Sequence, residues 1–302
     1  MRRTDDHRWA IVLAAGEGTR LREFVRERTG TDLPKQYSAI VGTRSLLRHT
    51  LDRIERIIRP RHAVTVVAAE HASLWKHILS TEERRCSLSI PRNRETAPNV
   101  LLAALTILAD DPEARAVIVP SDQFVLEEDH FLSYVESAFK FSEAFSHHVV
   151  LLGVRPQQPD PDYGWIDVTS DFLRHDGNRF YKVVGFHEKP SSRAASDLFQ
   201  RGALLNSMVT VASLRSVLGL FRHSAPGLYD HFRALKTDFR FGSPPEDLEK
   251  VFDTAPSLSF CKAIIQMNPD RLRVLRLEGI HWSDWGKKER VMEDLRSFGV
   301  EP

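Results

Sequence analysis

Cysteine is rare in this sequence of 302 residues, which contains two, Cys86 and Cys261. Their wide separation fits neither a zinc site nor a redox motif, and it predicts two free thiols in a reducing compartment. Long apolar runs are also missing, since no stretch approaches the roughly 18 uninterrupted apolar residues of a membrane span. The opening MRRTDDHRWAIVLAAG is unlike a signal peptide, because two acids follow its basic pair. We therefore expect a cytoplasmic protein with no membrane contact.

The sequence also lacks an excess of either charge. The chain has 42 basic and 41 acidic residues, for a formal net charge of +1. General binders of nucleic acid or of membrane surfaces carry a basic face, so the balance argues against both classes. With 42% hydrophobic and 27% charged residues, the composition is that of a folded globular protein. An even balance can still conceal a local basic pocket.

Apolar runs alternate with helical patterns along the first half of the chain. We predict strands at 10–14, 63–68, 116–119 and 149–154, and helices at 44–58, 72–79, 98–108 and 129–145. In the second half we predict strands at 180–187, 204–212 and 271–277, and helices at 192–200, about 213–253 and 287–298. This order predicts an α/β fold with a Rossmann-like, mostly parallel mixed sheet flanked by helices. In such sheets ligands bind at the carboxyl ends of the strands.

The first predicted strand runs into Gly16-Glu17-Gly18-Thr19-Arg20. Alternate glycines let backbone N–H groups approach a phosphate closely, and arginine binds phosphate with two parallel hydrogen bonds. A dinucleotide fingerprint needs a third glycine where Leu21 stands, which disfavours an NAD(P) oxidoreductase, and no Walker A ending is present. For the two glycines alone, a plain strand-to-helix turn remains an equal alternative.

Further short motifs follow this loop in a fixed order. They are Pro34-Lys35-Gln36, Thr96-Ala97-Pro98, Pro120-Ser121-Asp122, Tyr163-Gly164-Trp165, Phe186-His187-Glu188-Lys189-Pro190, Asn206-Ser207 and Trp282-Ser283-Asp284-Trp285-Gly286. The set resembles the sugar-1-phosphate nucleotidyltransferases, and within them the mannose-1-phosphate guanylyltransferases, also called GDP-mannose pyrophosphorylases. The resemblance extends over about residues 9–290 and implies the nucleotide-diphospho-sugar transferase fold.

The resemblance implies that a sugar 1-phosphate attacks the α-phosphate of an NTP and that pyrophosphate leaves. GTP and mannose 1-phosphate are the favoured pair. Positioning and charge neutralisation do most of the work in phosphoryl chemistry, so the protein must supply donors and cations. By resemblance, Arg20 and Lys35 are catalytic. The nucleotide-binding residues are Ala14, Ala15, Gly16, Gly18, Thr19, Thr96 and Ala97.

The resemblance also implies Mg²⁺, held by Asp122 and Asp284. Magnesium prefers oxygen ligands and often takes one or two carboxylates together with substrate phosphates. From the sequence alone, a cap or turn residue after a strand is the favoured explanation of Asp122. Asp284 is equally well explained as part of a turn before the last helix.

On the sugar side, the resemblance assigns contacts to Gly164, Glu188, Lys189 and Asn206. Glu188 would accept hydrogen bonds from sugar hydroxyls, and Lys189 would pair with the sugar phosphate. An exposed Glu188–Lys189 ion pair is the alternative, worth about 0–1 kcal/mol. Asn206 lies in an apolar strand pattern, where its amide needs either a ligand or a neighbouring backbone group.

Several positions depart from the family pattern, namely Glu95, Gln123, Leu205, Met208 and Cys261. These departures fall around the expected sugar and base pockets. The sequence therefore leaves open which base and which sugar the protein uses, and whether it turns substrate over. A catalytically silent regulatory homologue that binds nucleotide sugars is the alternative.

The length predicts one catalytic domain over residues 1–302, without a cupin or β-helix domain. Its nucleotide half covers about 1–155 and its sugar-phosphate half about 156–302. The expected partners are an NTP and a sugar 1-phosphate rather than nucleic acid, with a homodimer as a further possibility.

Overall fold

The computed structural model describes residues 7–235 and 247–300. The strands in these residues are β1 (Arg8–Ala14), β2 (Ala63–Ala68), β3 (Ser87–Ile90), β4 (Arg115–Pro120), β5 (Phe124–Val125), β6 (Val149–Val154), β7 (Gly164–His175), β8 (Asn178–Glu188), β9 (Leu204–Ser213), β10 (Leu272–Leu277) and β11 (Trp282–Ser283). The α-helices are α1 (Arg22–Thr29), α2 (Leu46–Ile54), α3 (Ala72–Ile78), α4 (Thr81–Arg85), α5 (Thr96–Asp110), α6 (Glu128–Ala144), α7 (Ser192–Gln200), α8 (Leu214–Ser224), α9 (Pro226–Arg233), α10 (Leu248–Thr254) and α11 (Lys288–Ser297). A π-helical segment covers Phe260–Ile265.

The described residues form a nine-stranded sheet in the order β3-β2-β1-β4-β9-β6-β10-β8-β7. The pairings β3–β2, β2–β1, β1–β4 and β6–β10 are parallel, whereas β8 and β9 are antiparallel to their neighbours. Most strands therefore point the same way, which confirms the predicted mixed, mostly parallel α/β sheet.

The sequence of β1 shows why helices cover both faces of the sheet. Successive side chains of a strand point to opposite faces, and in β1 every residue but one is fully buried. Trp9 and Ile11 join one core, which includes α5 and α8, while Ala10 and Val12 join the other, which includes α2 and α6. A strand that is apolar on both faces is typical of a parallel sheet between two helical layers.

Most predicted elements appear within a few residues of their predicted bounds. The main element that we missed is β7, which pairs with β8 in a long antiparallel hairpin. Its second half is partly exposed and carries polar residues, so it lacks the apolar run by which the other strands were found. The predicted helical region 213–253 consists of α8, α9 and α10, and its residues 236–246 lie outside the described part.

The sheet has a gap along one side of β9, and the candidate site lies near it. One side of β9 pairs with β6, whereas its other side pairs first with β7, at Leu204 and Leu205, and later with β4, from Thr210 onward. Between these two pairings Met208 adopts a left-handed backbone with φ of 61°. The strand thus bulges where β4 ends and β7 begins. Among the described residues, no helix is long and apolar enough to cross a bilayer.

Candidate active site

The carboxyl ends of β1 and β4 lie side by side and open into a cavity of about 520 Å³. The sequence-predicted residues that line it are Ala15, Gly16, Gly18, Thr19, Arg20, Lys35, Thr96, Asp122 and Lys189. The predicted residues outside its walls are Ala14, Ala97, Gly164, Glu188, Asn206 and Asp284. The location agrees with the expectation for parallel sheets, since ligands bind beyond the carboxyl ends of the strands.

The glycine loop is held in place by the segment that follows α1. Gln36 donates from Nε2 to the carbonyl oxygens of Ala14 at 3.2 Å and of Gly16 at 2.6 Å. Tyr37 donates from its hydroxyl to the same Ala14 carbonyl at 3.0 Å. Because both side chains are buried, these bonds fix the loop firmly. The Ala14 carbonyl oxygen therefore anchors the loop, and Ala14 does not line the cavity.

Gly18 is the position where the loop most requires glycine. Its φ is 61°, and a Cβ there would lie 2.7 Å from the backbone nitrogen of Lys35. We expect Gly18→Ala to lower the free energy of unfolding by about 1–3 kcal/mol, since it adds both left-handed strain and overlap. Chemical denaturation measures this change. Gly16→Ala is the matched control, because nothing lies within 4 Å of its Cβ, and equal destabilisation of both variants would contradict the prediction.

Lys35 links the two sides of the cavity. Its ammonium donates to the carbonyl oxygens of Asp284 at 2.6 Å and Trp285 at 3.1 Å, and it pairs with Asp122 Oδ2 at 2.9 Å. The Lys35 side chain is only 7% exposed. A buried ammonium fixed by three oxygens is a preorganised positive charge, which is what a developing phosphate charge requires.

Asp122 fits the role of a magnesium ligand. It follows β4 directly, lines the cavity and is 38% exposed, so one carboxylate faces the space where phosphates would enter. The Lys35 ammonium already lies against it, which shows that this place attracts a cation. Within the described ranges, no three histidine, cysteine or acidic side chains gather into a metal site. A magnesium ion here would therefore depend on carboxylate and substrate oxygens together.

Asp284 is tied into a network beside the cavity. Its Oδ1 accepts hydrogen bonds from Tyr163 at 2.9 Å, from the Gly286 backbone at 3.1 Å and from Arg290 at 2.5 Å. Arg290 also donates to Asp160 at 2.6 Å. Burial raises the pKa of Tyr163, with the Asp284 carboxylate adding to the shift, so the phenol stays protonated and can donate. This network positions the backbone carbonyl that holds Lys35.

The sugar-side residues form a group at the gap in the sheet. A Cβ on Gly164 would lie 2.7 Å from Glu188 Oε2 and 3.4 Å from the Asn206 Cβ, so these three residues meet. Lys189 joins them to the cavity, and its backbone nitrogen donates to the Tyr163 carbonyl at 3.2 Å. Its φ of 46° is unusual for a side chain other than glycine and indicates local strain.

The Glu188 carboxyl should titrate at a higher pH than usual. Burial raises its pKa, while Lys189 partly opposes the shift and Glu95 adds to it. The native state then binds this proton more tightly than the unfolded chain does, so this contribution to the free energy of unfolding is lost as pH rises through the raised pKa. Denaturation of wild type and Glu188→Gln between about pH 4 and pH 7 should show a steeper loss of stability with rising pH in wild type.

The control for this experiment is Glu249→Gln, because Glu249 is exposed on α10. That variant should keep the wild-type slope. Parallel pH profiles for wild type and Glu188→Gln would contradict the assigned titration.

Thr96 and Ala97 sit at the start of α5 and differ in position. Thr96 lines the cavity, and its hydroxyl oxygen accepts from the Phe260 backbone at 2.8 Å. Ala97 is fully buried and donates from its backbone nitrogen to the Leu258 carbonyl at 2.9 Å. Ala97 therefore contributes to packing, whereas Thr96 lines the cavity.

Two of the positions that depart from the family pattern, Gln123 and Cys261, take structural roles. Gln123 donates to the Ser207 carbonyl at 2.8 Å and accepts from the Trp282 indole at 3.0 Å, so it bridges β9 and β11. Cys261 is buried, and Asn206 donates to its sulfur at 3.4 Å. Burial raises the pKa of the Cys261 thiol, which stays protonated. Cys86 and Cys261 are both free, which confirms the prediction from their spacing.

Sequence reasoning missed several residues of the cavity wall. Gln36 stands inside a motif that we recognised, yet it received no role of its own. Asn93 precedes α5, and its amide donates to Glu17 of the glycine loop at 2.9 Å. Glu95 also lines the cavity, whereas the sequence singled it out only as a departure from the family pattern. Asn99 lies one turn into α5, where its position in an apolar helix gave no signal.

Comparison with known proteins shows the family of this chain. The nucleotidyl transferase family model matches residues 9–294. The alginate biosynthesis protein AlgA of Pseudomonas syringae is 27% identical over 91% of this chain and 56% of its own length. The mannose-1-phosphate guanylyltransferase of Escherichia coli is 24% identical over 94% of this chain and 60% of its own length. The chain thus spans less than two thirds of these curated relatives.

A solved structure is similar over nearly the whole chain. The crystal structure described as mannose-1-phosphate geranyltransferase from Thermus thermophilus is 25% identical, with a TM-score of 0.79. The match covers 95% of this chain and 79% of that one. Together with the family match over residues 9–294, the fold and the cavity at the ends of β1 and β4 lead to one conclusion: the chain belongs to the nucleotidyl transferase family.

Proposed function

We propose that this protein transfers a guanylyl group from GTP to mannose 1-phosphate, with Mg²⁺, and releases GDP-mannose and pyrophosphate. The observation that carries the proposal is the meeting of the glycine loop, the buried Lys35 ammonium and the Asp122 carboxylate at one cavity. The guanylyl and mannose parts are supported by the mannose-1-phosphate guanylyltransferase of Escherichia coli, a relative over 94% of this chain.

The loop from Gly16 to Thr19 would hold the triphosphate through its backbone N–H groups. Arg20 is exposed at the cavity rim, where it is available to pair with the outer phosphates. Lys35 would hold its charge near the α-phosphate, where negative charge builds up during attack. Since two polyanions must meet, these cations lower the repulsion between the substrates and align them for in-line displacement.

Asp122 would hold the magnesium ion, with Asp284 as the second carboxylate beside it. A bound magnesium ion neutralises charge on the phosphate oxygens. On the sugar side, Glu188 would accept from sugar hydroxyls, while Lys189 would pair with the sugar phosphate. The Asn206 amide and the Gly164 backbone would complete the sugar contacts, since both lie beside Glu188.

The experiment that tests this function is pyrophosphate release over a matrix of NTPs and sugar 1-phosphates. We expect turnover with GTP and mannose 1-phosphate in the presence of Mg²⁺, and little turnover when either substrate is left out. Turnover with a different pair would keep nucleotidyl transfer and replace the assigned base or sugar.

A silent nucleotide-sugar-binding regulator is the second candidate, and the thiol of Cys261 beside Asn206 in the sugar-side group favours it. This candidate predicts binding of a nucleotide sugar without pyrophosphate release from any pair. Binding measured by calorimetry, next to the release assay, separates the two functions.

A further inference from the structure

Asn99 is a buried amide with an unused acceptor at the wall of the cavity. The residue lies in α5, is 5% exposed and lines the same cavity as the glycine loop. Its Oδ1 is buried and has no hydrogen-bond partner among the described residues. A buried acceptor left without a donor is costly, so such an atom in a native structure needs a reason.

Other buried asparagines of this protein do have partners. Asn268 is 3% exposed and donates to Ser224 at 2.6 Å and to the Ile264 carbonyl at 2.7 Å. Asn206 accepts from the Met208 backbone at 3.1 Å. These two buried amides have hydrogen-bond partners, whereas the Asn99 acceptor at the cavity wall has none among the described residues. A ligand that carries an N–H or O–H donor would remove the cost at Asn99.

The charges of the cavity indicate which part of a nucleotide lies near Asn99. Arg20 and Lys35 belong to the wall built by the glycine loop and the segment after α1, where the phosphates would bind. The part of the wall from Asn93 to Asn99 contributes amides, a hydroxyl and one carboxylate but no cation. Because phosphates bind at the cationic wall, the nucleoside is left to face α5.

We propose that Asn99 is a specificity-determining residue that reads the nucleobase, with its Oδ1 accepting from the N–H donors on the Watson–Crick edge of guanine. Guanine offers two neighbouring donors there, N1–H and the 2-amino group, whereas adenine has an acceptor at N1. The inference rests on the proposed function, since it names the base that the same cavity selects. A buried polar group discriminates strongly, because a base without the matching donor leaves it unpaired.

The test compares Asn99→Leu and Asn99→Ala with wild type by equilibrium binding of GTP, ITP and ATP, without a sugar phosphate. A good base contact is worth about 5- to 150-fold in discrimination. We expect both variants to bind GTP about 10- to 100-fold more weakly, while their affinity for ATP changes less than about threefold. ITP, which lacks the 2-amino group, shows whether that group or N1–H is the main donor, and either result supports the proposal.

Thermal stability supplies a readout that a structural role would not share. Removal of an unpaired buried acceptor should leave the melting temperature of free Asn99→Leu equal to wild type or higher, even though GTP binds more weakly. Asn268→Ala is the matched control, because its paired amide lies outside the cavity. It should lower the melting temperature and leave the affinity for GTP unchanged.

Two results would overturn the inference. An equal loss of affinity for GTP, ITP and ATP would place the Asn99 contact on the ribose or the phosphates, which all three share. A lower melting temperature with unchanged GTP affinity would make Asn99 structural. Failure of the proposed function is a separate result, since it appears in wild type as absent pyrophosphate release, whatever the nucleotide binding of the variants.

Discussion

Asp122→Asn is expected to lower the rate of pyrophosphate release by about 10³-fold, which corresponds to about 4 kcal/mol in the barrier. The amide keeps the shape of the side chain and can still accept from Lys35, but it loses the negative charge that would hold magnesium. Because Asp122 is 38% exposed, solvent screens its ion pair, and the free energy of unfolding should fall by less than about 1 kcal/mol. Steady-state kinetics and chemical denaturation measure the two quantities.

The matched control is Asp129→Asn. Asp129 is 92% exposed, pairs with Arg56 and has no role in the proposed site. It should keep wild-type turnover. Binding of Mn²⁺ in the presence of GTP, followed by electron paramagnetic resonance, gives a readout besides turnover and should weaken only in Asp122→Asn. Normal turnover in both Asp122→Asn and Asp284→Asn would remove the two carboxylates from the proposed metal site.

Local patterns predicted the fold because most strands here are apolar on both faces. The run at 63–68, for example, coincides with β2, whose six residues are all buried. β7 was not predicted, because its second half is partly exposed and therefore lacks an apolar sequence pattern. Antiparallel pairing of β9 between β4 and β6 depends on contacts between distant segments, and no local pattern encodes them.

The sequence likewise predicted some residues of the proposed site but not the contacts between distant segments. Gly18 and Asp122 stand in compact motifs at strand ends, where a parallel sheet collects ligands, and Lys35 stands in a short motif after α1, so their meeting could be expected. The bond of Tyr163 to Asp284 joins two motifs 121 residues apart, and nothing in either motif indicates that they are in contact. Asn99 resembles any polar residue of a helix until its missing partner is seen. Contacts that complete a site across elements therefore need the structure.

Lys35→Met is expected to reduce both turnover and stability. Loss of the ammonium removes the fixed charge proposed to face the α-phosphate, which should lower kcat by about 10²–10³-fold. It also leaves the carbonyl oxygens of Asp284 and Trp285 without their donor, so the free energy of unfolding should fall by about 2–3 kcal/mol. Steady-state kinetics at a temperature where the variant is fully folded separates the two effects.

Gln36→Met is the control that separates the loss of a charge from the loss of buried hydrogen bonds. Gln36 is the next residue, is equally buried and also donates to two backbone carbonyls, those of Ala14 and Gly16, but it carries no charge. Its replacement should cost a similar amount of stability, because two buried carbonyls again lose their donor. Its kcat should fall by less than about tenfold, since Lys35 keeps its charge beside Asp122. Equal losses of kcat in the two variants would mean that Lys35 acts through the fold of the loop, and the catalytic assignment would then pass to Arg20 alone.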